Sequence, residues 1–445
     1  MGKRNSINNP APNSKRRHNL SAKNASIFCS PEFGMAPKCP SVYLKTFGCQ
    51  MNVRDSEVVC GLLTAGNYRL TAKPEEADVV IFNTCSVRQH AEDKVWSEIG
   101  RVAKFGGQST KNGESPPRPL IGLIGCMAQN YKEAAFERSA YLDFVVGPAD
   151  IGKIPGILEK LLLLKKRGES PKKGESPLFF SKIWETDGQI RPEEIYHTAF
   201  YADKQHAYVV ISEGCSNFCS YCVVPYVRGG LHNRHHQDIL QEIRLALKKG
   251  ITRFTLLGQN VNAYCCGEVD FIRLLRSIDN LEGVEEVGFI TSHPRDTSLE
   301  LFTAMEGLKK IRKDLHLPAQ SGSDRILKLM NRGYTRKMYL DLAGDYRKMV
   351  KGGGLTTDLI VGFPGESEKD FQETLDLVKE VRFDAAYIFK YSPRPHTAAL
   401  SMADTVPKQE KERRHRILLE LQKSISKVNR IQKPEVRRTR KKAKV

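Results

Sequence analysis

The 445-residue sequence predicts two α/β units in series: an N-terminal parallel-sheet domain followed by a partial (β/α)6 barrel. Three observations predict it. From residue 41 short apolar runs alternate with amphipathic stretches, the rhythm of strand–helix units. After residue 205 the units lengthen, and six of them in about 190 residues suit an incomplete barrel. Between the two series lies a polar stretch rich in Lys, Gly and Ser, without periodicity.

In the first series, "SVYLKTF" reads as a strand and "DSEVVCGLLTAG" as a helix opened by Asp55. "DVVIF" is a strand and "AEDKVWSEIGRVAKF" a helix; "LIGLIG" is a strand and "YKEAAFERSA" a helix; "LDFVVG" is a strand and "IPGILEKLLLL" a helix. "GESP" occurs at 113–116, 168–171 and 174–177 and reads as low-complexity loop. In the second series strands fall at "AYVVIS", "RFTLLG", "EVGFIT", "DLHLP", "LTTDLIVGF" and "DAAYIFKYS". Helices fall at 236–249, 269–279, 297–307, 324–331, 336–350 and 368–381, and "VPKQEKERRHRILLELQKSISKVNRIQ" is one long basic helix. The expected division is a disordered basic leader at 1–40, a first domain at 41–164, a linker at 165–204, a second domain with its C-terminal helix at 205–432, and a basic tail at 433–445.

Net charge is +19, but residues 1–24 hold six Lys or Arg and no acid, and residues 411–445 hold fourteen against three Glu. The middle carries only about +2. Basic ends suit a nucleic-acid backbone or a solvated tail. No apolar run reaches the ~18 residues of a membrane-spanning helix, and the chain reads as a soluble protein. Eleven cysteines without a secretory signal read as ligands or catalysts rather than disulfides.

"ISEGCSNFCSYCVVP" places Cys215, Cys219 and Cys222 just after the second domain's first strand. A closed zinc site takes four ligands. A cubane iron–sulfur cluster usually takes four thiolates, so three leave one iron open to the amino and carboxylate groups of a methionine moiety. The alternative is a zinc knuckle borrowing His232 or His235. A second trio, Cys49, Cys85 and Cys126, ends the runs "YLKTFGC", "VVIFNTC" and "LIGLIGC". The carboxyl ends of neighbouring parallel strands share one edge, which would gather these three thiols. Gly48 and Gly125 let the backbone pass close to a bulky group there. Cys60 reads as core, and Cys265 and Cys266 as loop.

The CxxxCxxC trio, with Tyr221 before its third Cys, resembles the radical-SAM family. With the second trio, and with "TFGCQMN", "NTCSVR", "GCMAQ", "TSHP", "LPAQSGSDRILKLMNRGYT", "TTDLIVGFPGE" and "FKYSPRP", the chain from about 41 to 430 resembles the methylthiotransferases, in the branch acting on N6-isopentenyladenosine in tRNA. The resemblance implies two [4Fe-4S] clusters, two molecules of S-adenosylmethionine per product and a 2-methylthio product beside the anticodon. It makes Cys215, Cys219 and Cys222 ligands of the radical cluster, and Cys49, Cys85 and Cys126 ligands of an auxiliary one. It sets Tyr221, Gly258, Gln259, Asn260 and Gly362 around S-adenosylmethionine. Arg228, Arg295 and Arg394 become candidates for the extruded tRNA base and its phosphates, and Gln50 and Asn52 for sulfur delivery or helix capping. It further implies a reductase-type electron donor, a sulfur donor, and a monomer in the cytoplasm, or in the mitochondrion if the leader is a transit peptide.

Three substitutions and one ending depart from the pattern. RGxExSR is here "RGGLHNR", with Leu231 and Asn233 for Glu and Ser, and His396 stands for the Gly of "RPGT". No strand-rich stretch follows residue 432, so the family's small tRNA-binding β-barrel (the TRAM domain) is expected to be missing. Two other readings stay open: a methylthiotransferase for threonylcarbamoyladenosine or a ribosomal-protein aspartate, and a non-catalytic zinc-dependent RNA-binding protein.

Overall fold

The computed structural model describes residues 39–86, 89–107, 118–166, 182–198 and 200–432. Residues 1–38 of the leader, the three "GESP" copies and the basic tail lie outside them. The first unit runs β1 (Ser41–Phe47), α1 (Gln50–Ala65), β2 (Arg69–Leu70), β3 (Val79–Thr84), α2 (Gln89–Val102), β4 (Leu120–Gly125), α3 (Cys126–Tyr131), α4 (Ala134–Arg138), β5 (Phe144–Val146), α5 (Ile154–Lys166) and β6 (Ile183–Glu185). Its sheet is parallel throughout, in the order β2-β1-β3-β4-β5-β6. Strands buried on both faces carry continuous apolar runs. Thus Val79 and Ile81 pack toward α1 and α5, while Val80 and Phe82 pack toward α2 and α3. Each such side chain contributes ~1.5–3 kcal/mol by leaving water.

The second unit holds β7 (His206–Val210), β8 (Ser212–Glu213), α6 (Val224–Arg228), β9 (His232–Asn233), α7 (His236–Leu247), β10 (Arg253–Leu257), β11 (Cys265–Cys266), β12 (Val269–Asp270), α8 (Phe271–Asp279), β13 (Glu286–Phe289), α9 (Leu299–Gly307), β14 (Asp314–His316), α10 (Asp324–Leu329), α11 (Arg336–Met349), β15 (Gly354–Val361), α12 (Glu368–Val381), β16 (Ala385–Lys390) and α13 (Lys408–Gln432). Two parallel three-stranded sheets, β7-β10-β13 and β14-β15-β16, form the partial barrel. A parallel bridge between Val287 and Ile311 links the halves. Helix α13 closes the far side, with Leu418 and Ile425 in the barrel's core cluster.

The α/β architecture expected from the rhythm is present, and three local readings change. Helix α1 starts at Gln50, capped by Cys49 in extended backbone, and not at Asp55. Its buried face carries Asn52, Arg54, Asp55, Ser56 and Glu57, a polar stripe that apolar periodicity does not register. The helix expected at "YKEAAFERSA" divides into α3 and α4, because Lys132 takes a left-handed φ of 50° between them. The stretch read as linker contributes β6, paired in parallel with β5.

Candidate metal centres at the domain junction

The sheet of the first unit changes direction at β1: the chain moves to β2 on one side and to β3 on the other. Ligands of open α/β sheets bind outside the carboxyl ends at such a switch point. The register aligns Phe47 with Thr84 and Thr84 with Gly125, the last residues of β1, β3 and β4. Cys49, Cys85 and Cys126 therefore leave one edge together. A Cβ on Gly48 would meet the Cys85 Cβ at 2.8 Å, so only glycine allows this approach.

Charge at this edge is asymmetric. A hydrogen bond with Cys85 holds the Cys49 thiol down at about 6, outweighing desolvation; Arg228 and the backbone amides of Met51 and Asn52 add to the effect. Burial pushes the Cys126 thiol up, against the pull of Arg228. Arg228 comes from α6 of the other unit, and its Nε donates to Cys126 Sγ at 3.2 Å. Its Nη2 donates to Asp55 at 2.6 Å, and Arg191 donates to the same carboxylate at 2.8 Å. Asp55 thus links α1, α6 and the segment before β7.

The other trio sits on the loop between β8 and α6. Cys215 N–H donates to Gly229 O at 3.0 Å, and Cys222 N–H to Cys219 O at 2.9 Å. Ser220 anchors the loop through its hydroxyl to Leu329 O at 2.7 Å, and its carbonyl accepts from Ala399 N–H at 2.7 Å. Burial pushes the Cys222 thiol up to about 12, with Cys219 and Cys215 adding to it; burial and then Cys219 also raise Cys215. The mutual effect shows the three sulfurs to be electrostatic neighbours, a donor set that ionises against a cationic centre. Arg332, beyond α10, donates to Cys219 Sγ at 3.3 Å and to the Tyr221 hydroxyl at 3.4 Å.

Strand ends beside this loop present buried polar atoms with no partner among the described residues: Gln259 Oε1, Asn260 Oδ1, Ser212 Oγ, Ser292 Oγ and His293 Nε2. Asn260 also donates to Asp296 at 2.6 Å. Burial, with Arg332 next, holds the His293 imidazole down at about 3 and hence neutral. Orphaned buried groups cost stability unless a ligand meets them, so the barrel mouth fits a polar cofactor. Gly258 follows β10 and lies against Ser212. Tyr221 packs on the Ile326, Met330 and Phe363 cluster. Gly362, at φ 69°, faces Lys411 of α13 and donates its N–H to Glu366 at 2.7 Å.

The two thiol sets flank α6. Cys126 forms a buried cluster with Val223 and Val227 from the chain just past Cys222. A cavity of about 530 Å³ opens at the junction, lined by Lys132, Pro148 and Asp187 from one side and by Glu213, Tyr226 and Gly230 from the other. Arg228 and Gly229 in its wall touch Cys126 and Cys215 respectively.

Several polar candidates sit elsewhere than expected. Arg228 is buried on Cys126 and Asp55, not presented to tRNA. Arg394 is also buried, with Glu92 at 3.7 Å, whereas Arg295 is near the surface and bonds to Asn217 of the cysteine loop. Asn52, by contrast, stays at the first thiol set: its Oδ1 accepts from Cys49 Sγ at 3.3 Å and its Nδ2 donates to Asn83 at 2.9 Å; Gln50 is exposed. Leu231 donates its N–H to Ser216 at 3.0 Å, and Asn233 donates to Cys265 O at 2.9 Å. Arg234 is turned into the junction, where it pairs with Glu242 at 2.6 Å. Arg332 was not singled out from sequence; the signal lay inside the quoted "MNRGYT".

Residues 41–147 match the profile described as "Uncharacterized protein family UPF0004", and residues 209–378 that of the radical SAM superfamily. The tRNA-2-methylthio-N(6)-dimethylallyladenosine synthase of Carboxydothermus hydrogenoformans is 43% identical over 391 residues, 87% of this chain and 84% of that protein. The protein of the same name from Geobacter sulfurreducens is 43% identical over 376 residues, covering 84% and 80%. Among solved structures, the radical S-adenosylmethionine methyltransferase TsrM of Kitasatospora setae, with cobalamin and a [4Fe-4S] cluster bound, superposes at TM-score 0.52 and 13% identity over 81% of this chain and 74% of that one, a likeness of fold. No helix among the described residues is long and apolar enough to cross a membrane. With two such relatives matched over most of their length, and both domain profiles in place, the chain belongs to the family of the tRNA-2-methylthio-N(6)-dimethylallyladenosine synthases, radical-SAM methylthiotransferases.

Proposed function

We propose that this chain converts N6-isopentenyladenosine beside the tRNA anticodon into its 2-methylthio derivative, with two [4Fe-4S] clusters and two molecules of S-adenosylmethionine. The observation that carries the proposal is the pairing of two three-thiol sets on either side of α6, beside one cavity. Cys215, Cys219 and Cys222 would hold the radical cluster, and Cys49, Cys85 and Cys126 the auxiliary one. When bound, these groups supply one-electron cleavage of S-adenosylmethionine and a resting place for the sulfur, a chemistry suited to adenine C2, whose hydrogen acid–base catalysis at ~100- to 10,000-fold does not reach.

The chain's own residues prepare that chemistry. Arg332 places a guanidinium on Cys219, and Arg228 one on Cys126, so each set has a fixed cation that stabilises thiolate charge. Gln259 and Asn260 offer unpartnered oxygens at the end of β10 to the ammonium group of S-adenosylmethionine. The Tyr221 ring, fixed by Arg332, would border its adenine. Neutral His293 accepts from Arg295 N–H through Nδ1, which leaves its Nε2–H to donate into the mouth. The reading takes tRNA, a reductase-type electron donor and a sulfur donor as partners of a cytoplasmic monomer.

The test is mass spectrometry of tRNA nucleosides from cells with and without the gene. Loss of the 2-methylthio mark from isopentenyladenosine is expected. Loss only from threonylcarbamoyladenosine would reject the substrate, and tight zinc with no iron after anaerobic reconstitution, in place of about eight irons per chain, would reject the enzyme.

A further inference from the structure

A third cluster of metal-binding side chains lies outside both thiol sets. His235, His236 and Cys266 each offer a ligand atom, all within 4.8 Å of one another. The chain brings them from two directions. His235 caps α7 and His236 is its first residue. Cys266 stands on the β11–β12 hairpin, paired with Val269. Two hydrogen bonds fasten the hairpin to the histidine segment: Asn233 Nδ2 donates to Cys265 O at 2.9 Å, and the Tyr264 hydroxyl to Arg234 O at 2.8 Å. The imidazole rings lie side by side, 4.6 Å between centroids and 31° between planes.

One atom there lacks a role. His236 Nδ1 is buried and has no hydrogen-bond partner among the described residues. Its other nitrogen, Nε2, lies 3.0 Å from the Gln237 amide. As placed, the Gln237 amide N–H donates to Nε2, so Nδ1 carries the ring proton and finds no acceptor; a cation bound at Nδ1 would shift that proton to Nε2 and turn the amide so that its oxygen accepts it, the outer-sphere arrangement that metal-bound histidines use. Two imidazoles and a thiolate suit a borderline-soft divalent ion that accepts tetrahedral geometry, with one position left to water.

We propose that His235, His236 and Cys266 bind one Zn²⁺. The ion ties the segment entering α7 to the hairpin beyond β10, both next to β9 of the β8–β9 ladder, which lines the junction cavity. His235, His236 and the Asn233 that positions the hairpin sit in or just after "RGGLHNR", where the chain departs from RGxExSR. The strap therefore stands where that pattern is lost.

The test uses the anaerobically reconstituted holoprotein, so that the six cluster cysteines are occupied by iron. It is equilibrated with micromolar zinc, metal content is measured after dialysis, and the zinc K-edge absorption spectrum is recorded, which iron does not obscure. One zinc per chain is expected, in a shell of one sulfur and light atoms that include two imidazoles. Cys266→Ser should remove the sulfur signal. His235→Ala, at an exposed position, should weaken binding by more than ~100-fold, beyond the ~10- to 100-fold that loss of an outer-sphere partner costs. Absence of retained zinc, a shell of several sulfurs, or binding unaltered in both variants would overturn the proposal.

Discussion

Asp55 is the most exposed to test of the buried charges. It is 1% accessible and serves two guanidiniums, Arg228 at 2.6 Å and Arg191 at 2.8 Å. Asp55→Asn keeps the shape and removes the charge. Breaking a buried ion pair costs ~3–5 kcal/mol, because the surviving charge is left without compensation. Arg191 retains Glu213 at 3.3 Å and the Pro148 carbonyl, so Arg228 is the group stranded, and the low end of that range, ~3 kcal/mol, applies. Arg228→Met alone should cost less, about 2 kcal/mol, since Asp55 keeps Arg191. Combining them removes both the donor and the acceptor. The double variant should then fall about 2 kcal/mol short of the sum of the singles, within the range for residues in contact. Urea unfolding of cluster-free protein, followed by tryptophan fluorescence, is the assay. Both tryptophans, Trp96 and Trp184, lie in the first unit with Asp55, so the signal reports the part that matters. Costs that simply add, or an Asp55→Asn change below ~0.5 kcal/mol, would refute the idea that one carboxylate neutralises the junction.

Further outcomes follow from the same geometry. In cluster-free protein, alkylation of Cys49 should inflect near pH 6 and level off above it, and Arg228→Met should move the inflection upward. The linkage has the matching sign: a thiol held below its unfolded pKa stabilises the fold above that unfolded value and loses the contribution as pH falls toward 6. His396 holds a left-handed φ of 66°, so His396→Gly should raise the calorimetric stability by about 0.5–1 kcal/mol despite losing the ring contact with Tyr226. Cys219→Ala should abolish cleavage of S-adenosylmethionine, whereas Cys85→Ala should retain some cleavage and end sulfur insertion; equal loss of both in a folded Cys85→Ala protein would contradict the division of labour. Cys60, whose thiol burial in α1 pushes up to about 12, should resist alkylation from pH 6 to 9 in the native state.

The alternation of apolar runs and amphipathic stretches determined the α/β class, and the cysteine spacing alone marked both thiol sets. Those signals are local, carried by side-chain period and by position relative to a strand end. The helix opening at Asp55 misled because its buried face is polar, and polarity near a strand end looks like a loop until the partner surface is known. Arg228 was read as a contact for tRNA for the same reason.

What the chain alone determined is the α/β succession, that three cysteines each follow a strand, and that three more share one loop. Only the tertiary structure decided that α6 lies between the sets, that Arg228 and Arg332 each donate to one sulfur, and that two histidines meet Cys266 across thirty residues of sequence. The physical reason is range. Periodicity and turn chemistry act over a few residues, whereas a buried charge or a ligand set is complete only when distant segments are packed close enough to exclude water.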